Sequence, residues 1–383
     1  MKSWIRARRD AGMEAHTVSA DETKDRPKRR WYKRAAALSL GFGGGLVGLG
    51  AGVGCAFSTP RWAGPVSDHF DGRRFHNGAE AQQPHGAGGL LKWMSHREQG
   101  PWRESVDEPP GEPPPRKVDA PGVVRVTFVG HSTVLLQLDG LNILTDPIWS
   151  DRASPVPFAG PKRIRPPGVR FEDLPPIDVV LISHNHYDHL DLQTLRRLAE
   201  RDRPRVVVPL GNKAVLDKAG LLGASELDWW QDLELAPGVR LVAVPAQHFS
   251  NRGPFDDGNG LWAGFVIESR SAGRVFFAGD SGYGPHFKEI AQRTGAPRLA
   301  LLPIGAFRPR WFMGPVHMGP DQAVEAARDL GARTSVAIHF GTFKLADDGE
   351  EEPVKELQEA LAKNPGVDFW VPEFGRGRDL PAR

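Results

Sequence analysis

A chain of 383 residues, 40% hydrophobic and 25% charged, has the composition of a soluble globular protein with a sizeable core. Its net charge of +2 is unevenly placed: residues 1–34 carry 11 basic and 5 acidic side chains, leaving 38 against 42 for the rest. A slightly acidic main part argues against nucleic acid as a partner, and a single cysteine, Cys55, excludes any disulfide within the chain.

In residues 1–57 a basic run from Arg26 to Arg34 leads into an uncharged segment, Ala35 to Phe57, in which 8 of 23 residues are Gly. This positive-then-apolar order predicts an export signal or an N-terminal membrane anchor, hence a cell-envelope location. Arg29-Arg30-Trp31-Tyr32-Lys33 is similar to a degenerate twin-arginine signal without its leading Ser or Thr. Gly52-Val53-Gly54-Cys55 resembles a lipoprotein cleavage site with Gly52 in place of Leu, so lipidation at Cys55 is one expectation. An uncleaved helix packing through Gly44, Gly48 and Gly52 is another. A true start at Met13 or later is a third.

Residues 58–122 are rich in Pro, Gly and charge, and Glu108 to Arg116 fits neither helix nor central strand. A tether is predicted, with Leu90-Leu91-Lys92-Trp93-Met94 as a short patch packed on the main domain. From Val123 the pattern changes. Strands over 123–129, 133–138 and 142–145 form a meander with an Asp139-Gly140 turn. Strand-like runs then fall near 205–209, 240–245, 262–267, 274–278, 299–302, 335–338 and 368–371. Helical runs fall near 191–201, 211–220, 285–293, 320–330 and 353–363, one opened by Pro320-Asp321. Two packed sheets with helices outside fit this order, an α+β domain over 123–383.

The apolar run Val179 to Ile182 ends in Ser183-His184-Asn185-His186-Tyr187-Asp188-His189, an H-x-H-x-D-H cluster. Alternation lets His184 and His186 point one way, and the following turn can swing Asp188 and His189 toward a second point. Imidazole and carboxylate suit zinc, and imidazole also suits iron, nickel or copper. Three later apolar runs each end in a further potential ligand: His248, Asp280 and His339. Buried strands delivering polar residues at their carboxyl ends are how α/β folds build sites. The count fits a dinuclear centre, three His on one metal and Asp, His, His on the other, with Asp280 suited to bridge them.

These residues resemble the metallo-β-lactamase fold superfamily, whose defining pattern is this motif followed by His, Asp and His. Other segments narrow the resemblance to the N-acylphosphatidylethanolamine-hydrolysing phospholipase D branch. They include Gly130-His131-Ser132-Thr133, Leu144-Thr145-Asp146-Pro147, Leu227-Asp228-Trp229-Trp230 and Arg310-Trp311-Phe312-Met313. The resemblance implies an αββα sandwich with one zinc on His184, His186 and His248, a second on Asp188, His189 and His339, and Asp280 between. Cys55 is remote, which excludes a Cys ligand. His317 matches a family His near substrate, although Val316 replaces the family's preceding polar amide. His131 is expected to hold a ligand or loop rather than a metal.

The implied function is a phospholipase D-like zinc phosphodiesterase acting on a phospholipid of the N-acylphosphatidylethanolamine type at a membrane surface. A hydroxide shared by two Zn2+ is the expected nucleophile, with Asp188, Asp280 and His317 catalytic. Tyr187 and His317 are the candidate substrate contacts. Aromatic residues Tyr187, Trp229, Trp230, Phe255, Trp262, Phe307, Trp311 and Phe312 are expected to line a groove for acyl chains. Alternatives are hydrolysis of a lactone or cyclic phosphodiester on the same site, or a non-catalytic zinc-binding envelope protein. A homodimer is also implied by the resemblance.

Overall fold

The computed structural model describes residues 58–78 and 81–382; the basic run, the apolar segment and Cys55, which carry the export, anchor and lipidation expectations, lie outside them. No helix among the described residues is long and apolar enough to cross a membrane.

Helix α1 (Ala87–Ser95) precedes strands β1 (Val124–Gly130), β2 (Thr133–Leu138), β3 (Leu141–Thr145) and β4 (Val179–Leu181). Helix α2 (Leu192–Arg201), β5 (Arg205–Pro209), α3 (Lys213–Lys218) and β6 (Ser225–Leu227) follow. The second half opens with β7 (Asp232–Ala236), β8 (Val239–Val244), β9 (Gly264–Ser269), β10 (Gly273–Phe277) and α4 (His286–Thr294). It continues with β11 (Leu299–Pro303), α5 (Arg310–Met313), α6 (Pro320–Asp329) and β12 (Thr334–Ile338). Helix α7 (Glu352–Lys363), β13 (Phe369–Trp370) and β14 (Gly377–Leu380) close it.

The described strands form two seven-stranded sheets, ordered β14-β1-β2-β3-β4-β5-β6 and β13-β12-β11-β10-β9-β8-β7. Each half begins with antiparallel pairs, β1–β2–β3 and β7–β8–β9–β10, and passes to parallel ones, β3–β4–β5–β6 and β10–β11–β12–β13. Parallel pairs need crossovers, and helices α2, α3, α4, α6 and α7 supply all but that of β3–β4, whose long connection holds a single 3-10 turn at Phe171–Asp173. The halves are thus built alike, although no sequence repeat betrays it.

Period-two alternation decides which face each residue serves. In the first sheet Val124, Val126, Phe128, Val134, Leu136, Leu138, Ile143, Val179 and Leu181 enter the central core against β8–β12. Their neighbours Val129, Leu135, Leu144, Val180 and Ile182 point the other way, onto α2 and α3 through Leu195, Leu198, Val215 and Leu216. Helices α4, α6 and α7 cover the second sheet with Phe287, Ile290, Val324, Ala327 and Leu357. Strand β4 is buried on both faces, so truncating Leu181 to Ala should cost about 2–5 kcal/mol. Helix α6 starts cleanly because Pro320 needs no N–H partner and Gln322 Oε1 accepts from Gly319 N–H at 3.1 Å.

The stretch 58–122, expected as a tether with one packed patch, is fastened along its length. Trp93 is buried, stacks on Phe312 at 5.0 Å and donates to Asp347 at 2.7 Å, while Leu91 and Met94 stay exposed. Trp102 Nε1 donates to Asp348 O at 2.7 Å, and Arg103 pairs with Glu350. Val106 N–H and Gly111 N–H donate to Ile164 O and Gly168 O, both at 2.7 Å. Pro-rich composition forbids ladders, not packing.

Candidate metal centre

The chain leaving β4 carries His184, His186, Asp188 and His189 in the turn before α2, and the loops after β8, β10 and β12 bring in His248, Asp280 and His339. All seven are buried except the half-buried His186. Four of the histidines converge on one oxygen. Asp280 Oδ2 lies 3.0 Å from His189 Nε2, 3.1 Å from His339 Nε2, 3.9 Å from His248 Nε2 and 4.0 Å from His184 Nε2. On one side His184 Nε2 and His248 Nε2 lie 2.8 and 3.2 Å from His186 Nδ1. On the other, Asp188 Oδ2 lies 3.1 Å from His189 Nε2 and 3.5 Å from His339 Nε2.

The outer nitrogens set the tautomers. His248 Nδ1 donates to Val316 O at 2.9 Å, and His189 Nδ1 donates to Asp146 Oδ2 at 2.7 Å. Ser183 Oγ gives its proton to Asp146 at 2.6 Å and therefore accepts from His184 Nδ1 at 2.9 Å. In the neutral rings this leaves three Nε2 lone pairs facing inward. His189 Nε2, both nitrogens of His339 and Asp280 Oδ1 are buried without hydrogen-bond partners. Each costs about 1–3 kcal/mol if left so. A cation held by nitrogen and oxygen donors removes that cost, so the residues fit divalent metal.

The electrostatics differ between the two sides. Burial, helped by neighbouring imidazoles, holds His184 and His248 well below the usual histidine range, and burial brings His186 to about 4. Burial acts on His189 and His339 too, but Asp280 and Asp188 outweigh it, lifting His339 to about 9 and His189 well above normal. Metal binding on that side therefore displaces protons.

His317 Nδ1, buried and unpaired, lies 3.9 Å from Asp280 Oδ2, with its ring 5.0 Å from that of His248. Burial takes its pKa down to about 4, leaving a neutral imidazole. Val316 supports His248 through its carbonyl, which no side-chain change at 316 removes. The Tyr187 hydroxyl donates to Arg252 O at 2.7 Å and its ring lies 4.0 Å under the Arg252 guanidinium. Arg252 in turn donates to Asn185 O and Leu190 O at 2.7 and 3.0 Å, clamping both ends of the ligand turn. His131 Nε2 donates to Asp188 Oδ2 at 2.8 Å, and its carbonyl accepts from His339 N–H at 2.7 Å. The roles of Asp146 and Arg252 were not anticipated. Asp146 ends an apolar strand as the ligands do, a signal that pointed to it.

The aromatic residues do not form one groove. Trp262 and Phe307 are buried, Trp229 stacks on His69 at 4.3 Å, and Trp230 lies under Arg293. Trp311 and Phe312 join His85 and Trp93, while Phe255 stands exposed. A cleft of about 1260 Å³ lies along Trp102, Arg103, Arg165 and Glu350, but none of the clustered ligands lines it and these charges pair with one another.

Residues 141–340 match the family model described as a beta-lactamase superfamily domain. Over 265 residues the chain is 40% identical to N-acyl-phosphatidylethanolamine-hydrolyzing phospholipase D 1 of Caenorhabditis elegans, a match spanning 65% of this chain and 74% of that one. The chain belongs to the metallo-β-lactamase superfamily, in the N-acylphosphatidylethanolamine phospholipase D-like branch. It is also 29% identical over 240 residues to a metal-dependent hydrolase of Methanopyrus kandleri, covering 62% of this chain and 92% of that one. A solved structure, a possible metal-dependent hydrolase from Veillonella parvula, superposes with a TM-score of 0.54 at 16% identity, covering 67% of this chain and 100% of that one. That last likeness concerns the fold, and with the two layered sheets it bears out the αββα expectation. As a member of this family the protein is a metal-dependent hydrolase.

Proposed function

We propose that the protein is a dinuclear zinc phosphodiesterase that hydrolyses an N-acylphosphatidylethanolamine-type phospholipid on its head-group side. The observation that carries the reading is Asp280 Oδ2, which faces a three-histidine set on one side and Asp188, His189 and His339 on the other. His184, His186 and His248 would hold one ion, Asp188, His189 and His339 the other, and Asp280 both. Bound there, the pair of ions supplies Lewis acidity toward a phosphoryl oxygen and acidifies water near neutral pH.

The remaining work falls to side chains. Asp188, tied by His131, orients the attacking water as an acceptor. Neutral His317 offers an N–H to a phosphoryl oxygen, which suits its low pKa better than service as a charged acid. Water adds across the bond between phosphorus and the head-group oxygen. Phosphatidic acid keeps the water oxygen, and the N-acylethanolamine leaves with a proton on its own. The identity with the Caenorhabditis elegans phospholipase D supports this substrate class. We further propose action at a membrane surface, export or anchoring through residues 1–57 with Cys55 as the lipidation point, and pairing as a homodimer. The basic-then-apolar order of residues 26–57 supports the anchoring.

The test is mass-spectrometric product analysis of the zinc-loaded full chain on N-acylphosphatidylethanolamine in mixed micelles, beside Asp280→Asn and His186→Ala. Phosphatidic acid and N-acylethanolamine from the wild type alone, abolished by chelator and restored by zinc, are expected. Two ions bound without turnover would reject this substrate in favour of a lactone or a cyclic phosphodiester.

A further inference from the structure

Residues 58–78, read from composition as tether, send buried polar contacts to the loops of one ligand set. Asn77, 1% exposed, accepts with Oδ1 from the backbone N–H of His248 and from the indole N–H of Trp262, both at 2.9 Å. Thr59, 2% exposed, accepts with Oγ1 from Nδ2 of Asn185, the residue between His184 and His186, at 3.0 Å. Thr59 N–H donates to Asp256 at 2.6 Å, and Asp256 also accepts from Gly253 N–H at 2.8 Å, closing the loop beyond His248. Apolar packing runs the same way. Trp62, Phe70 and Phe75 pack with Ala246, Leu261, Trp262 and Phe249, and the Phe249 ring lies 4.5 Å from His186 and 4.9 Å from His248. His69 fastens the segment by bonding Asp228 at 2.7 Å and stacking on Trp229.

We propose that residues 58–78 are a positioning element for the three-histidine set, with Asn77 fixing His248 and Thr59 fixing Asn185 as positioning residues. The inference rests on the two ligand sets of the proposed function. A buried backbone N–H that loses its acceptor costs about 1–3 kcal/mol unless the peptide turns to find another. A turned His248 peptide carries Nε2 away from His184 and His186, whose donors must converge tightly to hold one ion. The second set is braced by the domain itself: His131 bonds Asp188 and the His339 amide, and Asp146 bonds His189. The effect of changing Asn77 is therefore one-sided.

The experiment uses the full chain, zinc-loaded and dialysed against graded chelator. Zinc is counted per chain, and occupancy at each set is read from anomalous scattering in crystals. Loss of an outer partner typically costs about 10–100-fold in metal affinity. Asn77→Leu, which keeps the size and removes the acceptor, should lose the ion at His184, His186 and His248 with a shift of that order while retaining the other. Asn77→Asp, which keeps an acceptor oxygen, should lie closer to wild type. Thr59→Val removes one hydroxyl and should weaken the same ion, which keeps the test sound if Asn77→Leu fails to fold. Equal loss of both ions would overturn the inference. So would a wild type with two ions that Asn77→Leu and Thr59→Val both match. A wild type holding fewer than two ions would overturn the dinuclear reading itself.

Discussion

Asp146 Oδ2 sits 2.7 Å from His189 Nδ1 and 2.6 Å from Ser183 Oγ, so one buried carboxylate braces both ligand sets. Ser183 passes the constraint to His184 Nδ1 at 2.9 Å. Burial holds the Asp146 carboxyl above the usual carboxylate range, although His189 and Ser183 offset part of the rise. Asp146→Asn keeps the shape but turns an amide N–H toward a donor. Metal affinity should fall about 10–100-fold, measured by chelator competition. A thermal melt of the metal-free protein should show the fold retained.

Gly279 precedes Asp280 with φ +61, and a Cβ there would stand 2.4 Å from Ser183 Cβ. Neither backbone can yield without moving a ligand. Gly279→Ala should cost on the order of 3 kcal/mol, from the left-handed φ and the overpacking together. Urea denaturation of the metal-free protein would read it, and a cost below about 1 kcal/mol would contradict the close approach.

His286 is buried with Nε2 3.0 Å from Ser281 Oγ, and burial takes its pKa from 6.5 to about 3. Above pH 6.5 it is neutral whether folded or unfolded. As the pH falls the unfolded chain binds the proton first, so stability is lost from 6.5 down toward 3. His286→Gln should flatten this limb, the difference from wild type growing to several kcal/mol, about 1.4 per pH unit at most. Urea midpoints of both proteins at pH 7, 6, 5 and 4 would check it.

Tyr187 was expected to touch substrate, yet its hydroxyl is spent on Arg252 O at 2.7 Å. Tyr187→Phe should therefore cost about 1 kcal/mol of stability and change kcat/KM no more than a few-fold. A selective rise in KM with stability unchanged would restore the substrate role.

What the sequence disclosed follows from where the information lies. The clustering of His184, His248, Asp280 and His339 was legible because each follows a buried apolar run, a local pattern. Their supports were legible only in part. His131, expected from its Gly130-His131-Ser132-Thr133 turn to hold a ligand or loop, does reach Asp188 across 57 residues, whereas Asn77, which bonds His248 across 171, has nothing local to mark it. Strands β6 and β14 escaped notice because three- and four-residue segments such as Gly377-Arg378-Asp379-Leu380 at a sheet edge lack apolar alternation; β7 does alternate, as Asp232-Leu233-Glu234-Leu235, but over only five residues. Helix α5 is a single turn, Arg310–Met313, too short to show a period. The aromatic residues misled because sequence proximity to ligand loops does not reveal the face a ring serves: Trp262 is 3% exposed and Phe255 79%.

In the proposed reaction water attacks phosphorus in a site organised around Asp280. Hydrolysis of N-acylphosphatidylethanolamine by the zinc-loaded full chain in ¹⁸O-enriched water tests it most directly. The label is expected in phosphatidic acid and not in the N-acylethanolamine, with turnover lost in Asp280→Asn. Label in the N-acylethanolamine would mean that the carbon–oxygen bond breaks, and would contradict it.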